Sequence, residues 1–246
     1  MVLIPVECPR CESIDVEKHG FSKVGKQRYM CNNCRRTFQQ SYTYNACNPT
    51  IKSQIYFQTI NGSGTRAIAR SLNIDPGTVT STLRSFESLV WHINYDYLSR
   101  LSEQAISVEI VSGTEAEMDE MWSFVHDKSQ QYWLWWAIDH NTGEPLAFYF
   151  GSREHQSLVE LKKLLDDFNI AVVYADGNPA YEKHMDECEV VTGKRNTQKI
   201  ERKHLSLRTW CSRLVRKGIR FSKSHTMHSI VVSLIINYWF FGRVLA

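Results

Sequence analysis

The sequence has no apolar run of eighteen residues or more, the length a helix needs to cross a bilayer. Its most apolar stretch, "SIVVSLIINYWFF" from Ser229 to Phe241, is too short to span one and reads as a buried C-terminal helix. The beginning, "MVLIPVECPRC", lacks the basic and long apolar regions of a secretory signal. A cytoplasmic protein with no membrane partner is the expectation. In that compartment seven cysteines favour metal ligands or free thiols over disulfides. Acid is also scarce in one place: from Lys194 to Lys223 there are eleven Lys and Arg and a single carboxylate, Glu201. A helical ion pair for that acid needs a base three or four positions away. Those positions are Thr197, Gln198, His204 and Leu205, so only a charged His204 qualifies.

The net charge of +3 conceals strong segregation. Residues 1–104 carry +4, residues 105–193 carry −12 and residues 194–246 carry +11. A basic head and a strongly basic tail suit a polyanion, most often nucleic acid. The acidic middle does not, and a cation held by carboxylates is a candidate explanation. With 43% hydrophobic residues the chain can bury a core.

The head contains Cys8-Pro9-Arg10-Cys11 and Cys31-Asn32-Asn33-Cys34, two C-x2-C pairs separated by nineteen residues. Four thiolates at this spacing form a tetrahedral site for structural Zn2+, and the residues between them suit the hairpins of a zinc ribbon. Such a module is too small for a core of its own, so the metal would supply its folding energy. Cys47, Cys188 and Cys211 have no sequence partner and read as ordinary buried thiols. Three helical patterns follow, near Pro49–Thr59, near Thr65–Leu72 and from about Pro76 to His92. The short turn between the second and third is that of a helix-turn-helix. It would offer Thr78, Thr80, Ser81 and Arg84 to a major groove.

Beyond residue 112 the period shortens. "AEMDEMWSFVH", "YWLWWAIDH" and "PLAFYFGS" read as a three-strand antiparallel meander. A helix from "EHQSLVELKKLLDDF", a buried strand "IAVVYADG", a short helical stretch, a strand "CEVVTG" and a basic helix beginning near Asn196 come next. This is the element order of a ribonuclease-H-like fold. Asp119 lies within the first strand of the set, and Asp176 at the carboxyl end of the fourth, where α/β sheets bind ligands. Glu201 is on the basic helix. Three carboxylates from distant elements would make an oxygen cage for Mg2+ or Mn2+. Glu120 and Asp139 are nearby rivals; Asp139 reads as a hairpin-turn residue. His225 and His228 read as packing or DNA-facing residues.

The segments "AEMDEMW", "YADGNPAY" and "NTQKIERKHLSLR…FSKS" resemble those of the bacterial insertion-sequence-one transposase family, and the resemblance extends to the zinc-binding and helix-turn-helix head. It implies an Asp-Asp-Glu enzyme on a ribonuclease-H-like core, with the triad at Asp119, Asp176 and Glu201. Arg208, seven residues beyond Glu201, is carried with it. The implied organisation is a zinc ribbon over 1–46, an all-α helix-turn-helix domain over 47–104, and an α/β catalytic domain over 105–246 ending in basic and apolar helices. The implied chemistry is two-metal phosphoryl transfer, by which the protein binds double-stranded DNA at the terminal inverted repeats, cleaves it and joins it to target DNA. Lys199, Arg202, Lys203, Arg208, Arg213, Arg216, Lys217, Arg220 and Lys223 would hold phosphates. At least a homodimer is expected, since two ends must be held together, in a bacterial or archaeal cell and associated with the nucleoid. A DNA-binding regulator with an inactive core, and a nuclease of branched or hybrid duplexes on the same fold, are the competing readings.

Overall fold

A computed structural model describes residues 5–42, 44–107, 113–215, 217 and 220–245. The chain divides into two compact units, Met1–Gln58 with Ser63–Thr82, and Thr59–Gly62 with Leu83–Leu245.

The first unit opens with a three-stranded antiparallel sheet of β1 (Val16–Phe21), β2 (Gln27–Cys31) and β3 (Thr37–Phe38). Each C-x2-C pair makes the same knuckle. Glu12 and Arg35, the residues after the second cysteine of each pair, adopt left-handed backbone at φ 57° and 56°. Their amides donate to the Cys8 and Cys31 carbonyls at 2.9 Å. The apolar cluster around them contains little beyond the cysteines, Val6, Val16, Tyr29 and Phe38. So small a core does not fold such a module alone.

Three helices follow, α1 (Ile51–Ile60), α2 (Thr65–Leu72) and α3 (Pro76–Arg84). α2 ends at Asn73 in the left-handed region, and Asp75 caps α3 by accepting from the Gly77 amide at 2.6 Å. The third helix was expected to run to about His92 but stops at Arg84. Residues 91–94 are not helical. Asn237 of the last helix bonds both the amide and the carbonyl of Trp91 at 2.9 Å, and Ile93 bridges to Ala147. A helix cannot continue through backbone committed to those partners.

In the second unit, α4 (Tyr95–Ser107) precedes a five-stranded sheet of β4 (Thr114–Phe124), β5 (Gln131–Asp139), β6 (Pro145–Gly151), β7 (Ile170–Ala175) and β8 (Glu189–Thr192). The order is β6-β5-β4-β7-β8; the first three strands form an antiparallel meander, while β7 and β8 run parallel to β4. This is the expected ribonuclease-H-like core. α5 (His155–Leu165) and α6 (Pro179–His184) cover one face, where Ala116, Met118, Trp135, Val173 and Ala175 meet Leu158, Leu161 and Tyr181. α7 (Gln198–Trp210) and α8 (His225–Trp239) take the other. There Trp136 meets His204 and Phe240, and Ser123 meets His228. The two-residue period of the strands divides these sets between the faces.

α8 is the expected buried helix, with ten of its residues, Met227 to Asn237, in the interior. Among the described residues no helix is long and apolar enough to cross a membrane. Of the three extra cysteines Cys211 is buried and Cys188 half-buried; Cys47 is exposed, against expectation. It falls in a short 3-10 turn, Asn45–Cys47, none of whose residues is buried.

Candidate active site at the carboxyl ends of the central strands

β4 and β7 are parallel neighbours with Met118 opposite Ala175. The next residue along each strand is an acid, Asp119 and Asp176. Met118 and Ala175 both belong to the α5–α6 core, so alternation along β4 turns Asp119 toward the α7 side. Asp176 follows the last residue of its strand and opens a tight turn, in which the Asn178 amide donates to its Oδ1 at 3.2 Å. Asp119 is half-buried, and His204 of α7 sets its Nδ1 3.3 Å from Asp119 Oδ2. His204 lies between Asp119 and Trp136, which are themselves cross-strand partners. The sequence offered His204 as an ion-pair partner for Glu201; the structure gives its Nδ1 to Asp119.

Two further acids flank Asp119 on the same strand. Glu117 shares its face and is buried at 1% exposure. One carboxylate oxygen lies 2.9 Å from His140 Nδ1, and the other accepts the Ile200 amide, in the first turn of α7, at 3.0 Å. Glu120 points to the opposite face. Its oxygens accept from Asn178 Nδ2 at 3.1 Å and from the Tyr181 hydroxyl at 3.0 Å, just beyond Asp176. Burial raises the Glu120 pKa, and the charge of Asp176, then that of Asp119, adds to the effect. The Tyr181 hydroxyl is raised well above its usual value by burial and by Glu120, Asp119 and Asp176. Both shifts follow from burial and from the carboxylates near Asp176 and Tyr181. Sequence reasoning treated Glu120 only as a rival to Asp119 and gave Glu117 no role. The available signal was a set of acids alternating inside an otherwise buried strand. Asp139 is the turn residue expected of it, accepting from the Thr142 amide and hydroxyl.

Glu201 is exposed in the first turn of α7. It precedes His204 by three positions, and Arg208 follows His204 by four, so all three share one face of the helix. Arg208 is half-buried. The three acids are thus borne on elements that meet at one end of the sheet, but they are not closed around a point. Among the described residues, the group of three or more Cys, His, Asp and Glu whose ligand atoms all lie within 4.8 Å is Cys8, Cys11, Cys31 and Cys34. That all-sulfur donor set fits Zn2+.

The basic run is not uniformly presented to solvent. Arg202, Lys217, Arg220 and Lys223 are exposed. The Lys199 ammonium bonds the His140 and Asn141 carbonyls. Lys203 lies 5.1 Å above the Phe240 ring, its pKa lowered by burial. Arg213 is half-buried with Nη1 3.4 Å from Ser222 Oγ. Arg216 lies outside the described residues. In the helix pair, Ser81 and Arg84 are exposed and Thr78 and Thr80 half-buried. The Thr80 and Ser81 hydroxyls donate back to carbonyls of α3 itself, those of Gly77 and Thr78. His225 packs edge-on against Tyr132, while His228 is buried and touches Ser123 and Ser222.

The family model described as IS1 transposase matches residues 112–242. The chain belongs to the IS1 transposase family. Models of the InsA N-terminal domain, a zinc ribbon, and of the InsA C-terminal domain, a helix-turn-helix, match residues 1–35 and 42–87. Among curated relatives, the insertion element iso-IS1n protein InsB of Shigella dysenteriae is 43% identical over 120 residues, which is 49% of this chain and 92% of that protein. An InsB protein of insertion element IS1 in Escherichia coli K12 is 37% identical over 148 residues, 58% of this chain and 89% of its own length. The catalytic core domain of BIV integrase aligns at 12% identity and a TM-score of 0.35, covering 55% of this chain and 88% of that one. Membership in the IS1 family makes the chain an enzyme that acts on DNA, with zinc-ribbon and helix-turn-helix segments ahead of its catalytic core.

Proposed function

We propose that this transposase binds the terminal inverted repeats of its insertion sequence, cleaves the DNA there and transfers the freed strand to target DNA, using Asp119, Asp176 and Glu201. The observation that supports this reading is the register of β4 and β7, which pairs Met118 with Ala175 one residue before each aspartate, with His204 of the Glu201 helix 3.3 Å from Asp119. Carboxylate oxygens from three elements are the donors Mg2+ and Mn2+ prefer. Bound there, the ions would activate a water or a DNA 3′-hydroxyl and stabilise the leaving 3′-oxygen. Asp119, Asp176 and Glu201 would together hold the ions. His204 fixes the orientation of Asp119. Arg202, next to Glu201 in sequence, and Arg208, on its helix face, would hold phosphates there. No Ser or Tyr nucleophile is required, because the attacking oxygen comes from water or DNA.

The helix-turn-helix reads the repeat through α3, and the zinc ribbon adds backbone contacts. Two ends must be brought together, so the active form is a dimer or a larger assembly. The test is Asp119→Asn, Asp176→Asn and Glu201→Gln on a labelled end duplex with Mg2+. Loss of both cleavage and strand transfer with end binding retained is the expected result. Unchanged activity in all three would overturn the assignment. A natural chain that binds ends but never cuts them would be a regulator instead.

A further inference from the structure

Helix α7 carries Glu201 in its first turn, yet its own sequence does not cap it. The residue at its N-cap, Thr197, makes no side-chain cap bond; its hydroxyl donates instead to the Lys194 carbonyl at 3.5 Å. The first amides of a helix have no partner inside it, and a buried one left unpaired is costly. The partner comes from the sheet. Glu117 accepts the Ile200 amide at 3.0 Å, and His140 braces its other oxygen at 2.9 Å. The His140 ring is fixed in turn against Tyr174 at 4.2 Å between centroids. Lys199 closes the arrangement from the helix side through the His140 and Asn141 carbonyls.

We infer that Glu117 is a positioning residue for the reaction: from the strand that bears Asp119, it fixes the start of α7 and so sets the place of Glu201. This rests on the reading of Glu201 given above. A negative charge at a helix N-terminus is favourable in itself, which suits a carboxylate to the task. Only one residue, Met118, separates Glu117 from Asp119, so the two share one face of β4. The strand therefore fixes one acid directly and the other through a cap. Groups that orient ligand-bearing elements in this way are worth about 10–100-fold in metal affinity or activity.

The experiment uses the full chain with Glu117→Ala and Glu117→Gln. Hydrogen exchange is followed without metal, and strand transfer is titrated with Mn2+ on an end duplex. In Glu117→Ala, amides 198–201 should exchange about tenfold faster or more, with β5 unchanged. Half-activation by Mn2+ should need about 10–100-fold more ion. Glu117→Gln keeps an oxygen for the Ile200 amide, and it should restore the exchange pattern and most of the metal response. Wild-type exchange at 198–201 in Glu117→Ala would overturn the inference. So would faster exchange spread across the whole sheet in both variants, because Glu117 would then serve only the core. Faster exchange at 198–201 with wild-type Mn2+ dependence would also overturn it. Glu201→Ala is run alongside. Wild-type transfer in that variant would instead bring down the reading of Glu201, and the two failures are thereby told apart.

Discussion

His204 Nδ1 and Asp119 Oδ2 are 3.3 Å apart across the contact between α7 and β4, and the imidazole is buried on Trp136. His204 Nε2 is buried and makes no hydrogen bond. The neighbouring carboxylate favours a proton on Nδ1 by its charge. Asn can present an amide near the position of Nδ1, whereas Gln reaches toward that of Nε2. His204→Asn should keep most strand transfer. His204→Gln and His204→Ala should lose about 10–100-fold, the value of a group that orients a metal ligand. Equal losses in Asn and Gln variants, measured as kcat on an end duplex, would place the role of His204 in packing alone.

Arg208 shares the face of α7 with Glu201 and His204. Arg208→Ala should reduce strand transfer while leaving the Kd for end DNA near that of the wild type. Arg208→Lys should recover little, since a planar two-pronged donor is replaced by a point charge. Unchanged transfer in Arg208→Ala would remove it from the reacting site.

Phosphate binding by the basic segment should follow the exposure of each base rather than its charge. Each phosphate contact contributes about 0.9 to the slope of log K against log salt. Arg202→Ala and Arg220→Ala should each reduce the slope by about that much. Lys199→Ala and Lys203→Ala should reduce it by much less, because their ammonium groups are engaged with backbone carbonyls and with Phe240. Filter binding from low to moderate salt distinguishes the two sets.

The zinc ribbon should depend on its metal. Cys31→Ser should drop Zn2+ from about one per chain to a small fraction, read by metal analysis of purified protein. Exchange protection of β1 and β2 should be lost with it, while β4 and α8 stay protected. Retained zinc would mean that another residue completes the site.

Acid should destabilise the second unit through His228. Folding lowers its pKa from 6.5 to about 3, chiefly by burial, with the charges of Arg213 and His225 adding. The unfolded chain therefore takes up this proton first. The contribution of the neutral imidazole to stability is complete above about pH 6.5 and is lost as pH falls toward 3. On the order of 4 kcal/mol is at stake over that span. His228→Gln should flatten the fall of the denaturant midpoint between pH 6.5 and 4 relative to wild type. Parallel curves for the two proteins would contradict this.

Much of the fold is written locally. The C-x2-C spacing, the alternation in β4 to β6 and the leucine spacing of α5 each depend on residues close in sequence. They were readable for that reason, while the adjacency of the strands before Asp119 and Asp176, a pairing of distant residues, followed only from the element order of a ribonuclease-H-like fold. What escaped depends on contacts between distant residues. The third helix does not reach His92 because Asn237, far along the chain, engages the Trp91 backbone. The roles of Glu117 and Glu120 depend on which helix covers each face of β4, and period-two alternation does not identify the covering helix. His204 was visible as the one base in reach of Glu201, but its ring turns to the strand, a choice made by Trp136 and Asp119 rather than by α7.

β4 makes a demand on the length of the chain. From Glu117 to Glu120, successive side chains go to opposite faces, and three of the four are acids with separate partners: Glu117 on α7, Asp119 on His204, Glu120 on α6. Adding or removing one residue upstream within the strand would exchange those faces while leaving the composition almost unchanged. The segment is therefore intolerant of insertion or deletion. Copies of the element that drift by a codon here would keep a recognisable sequence and lose the site, whereas the exposed turn at 127–130 between β4 and β5 has no such constraint.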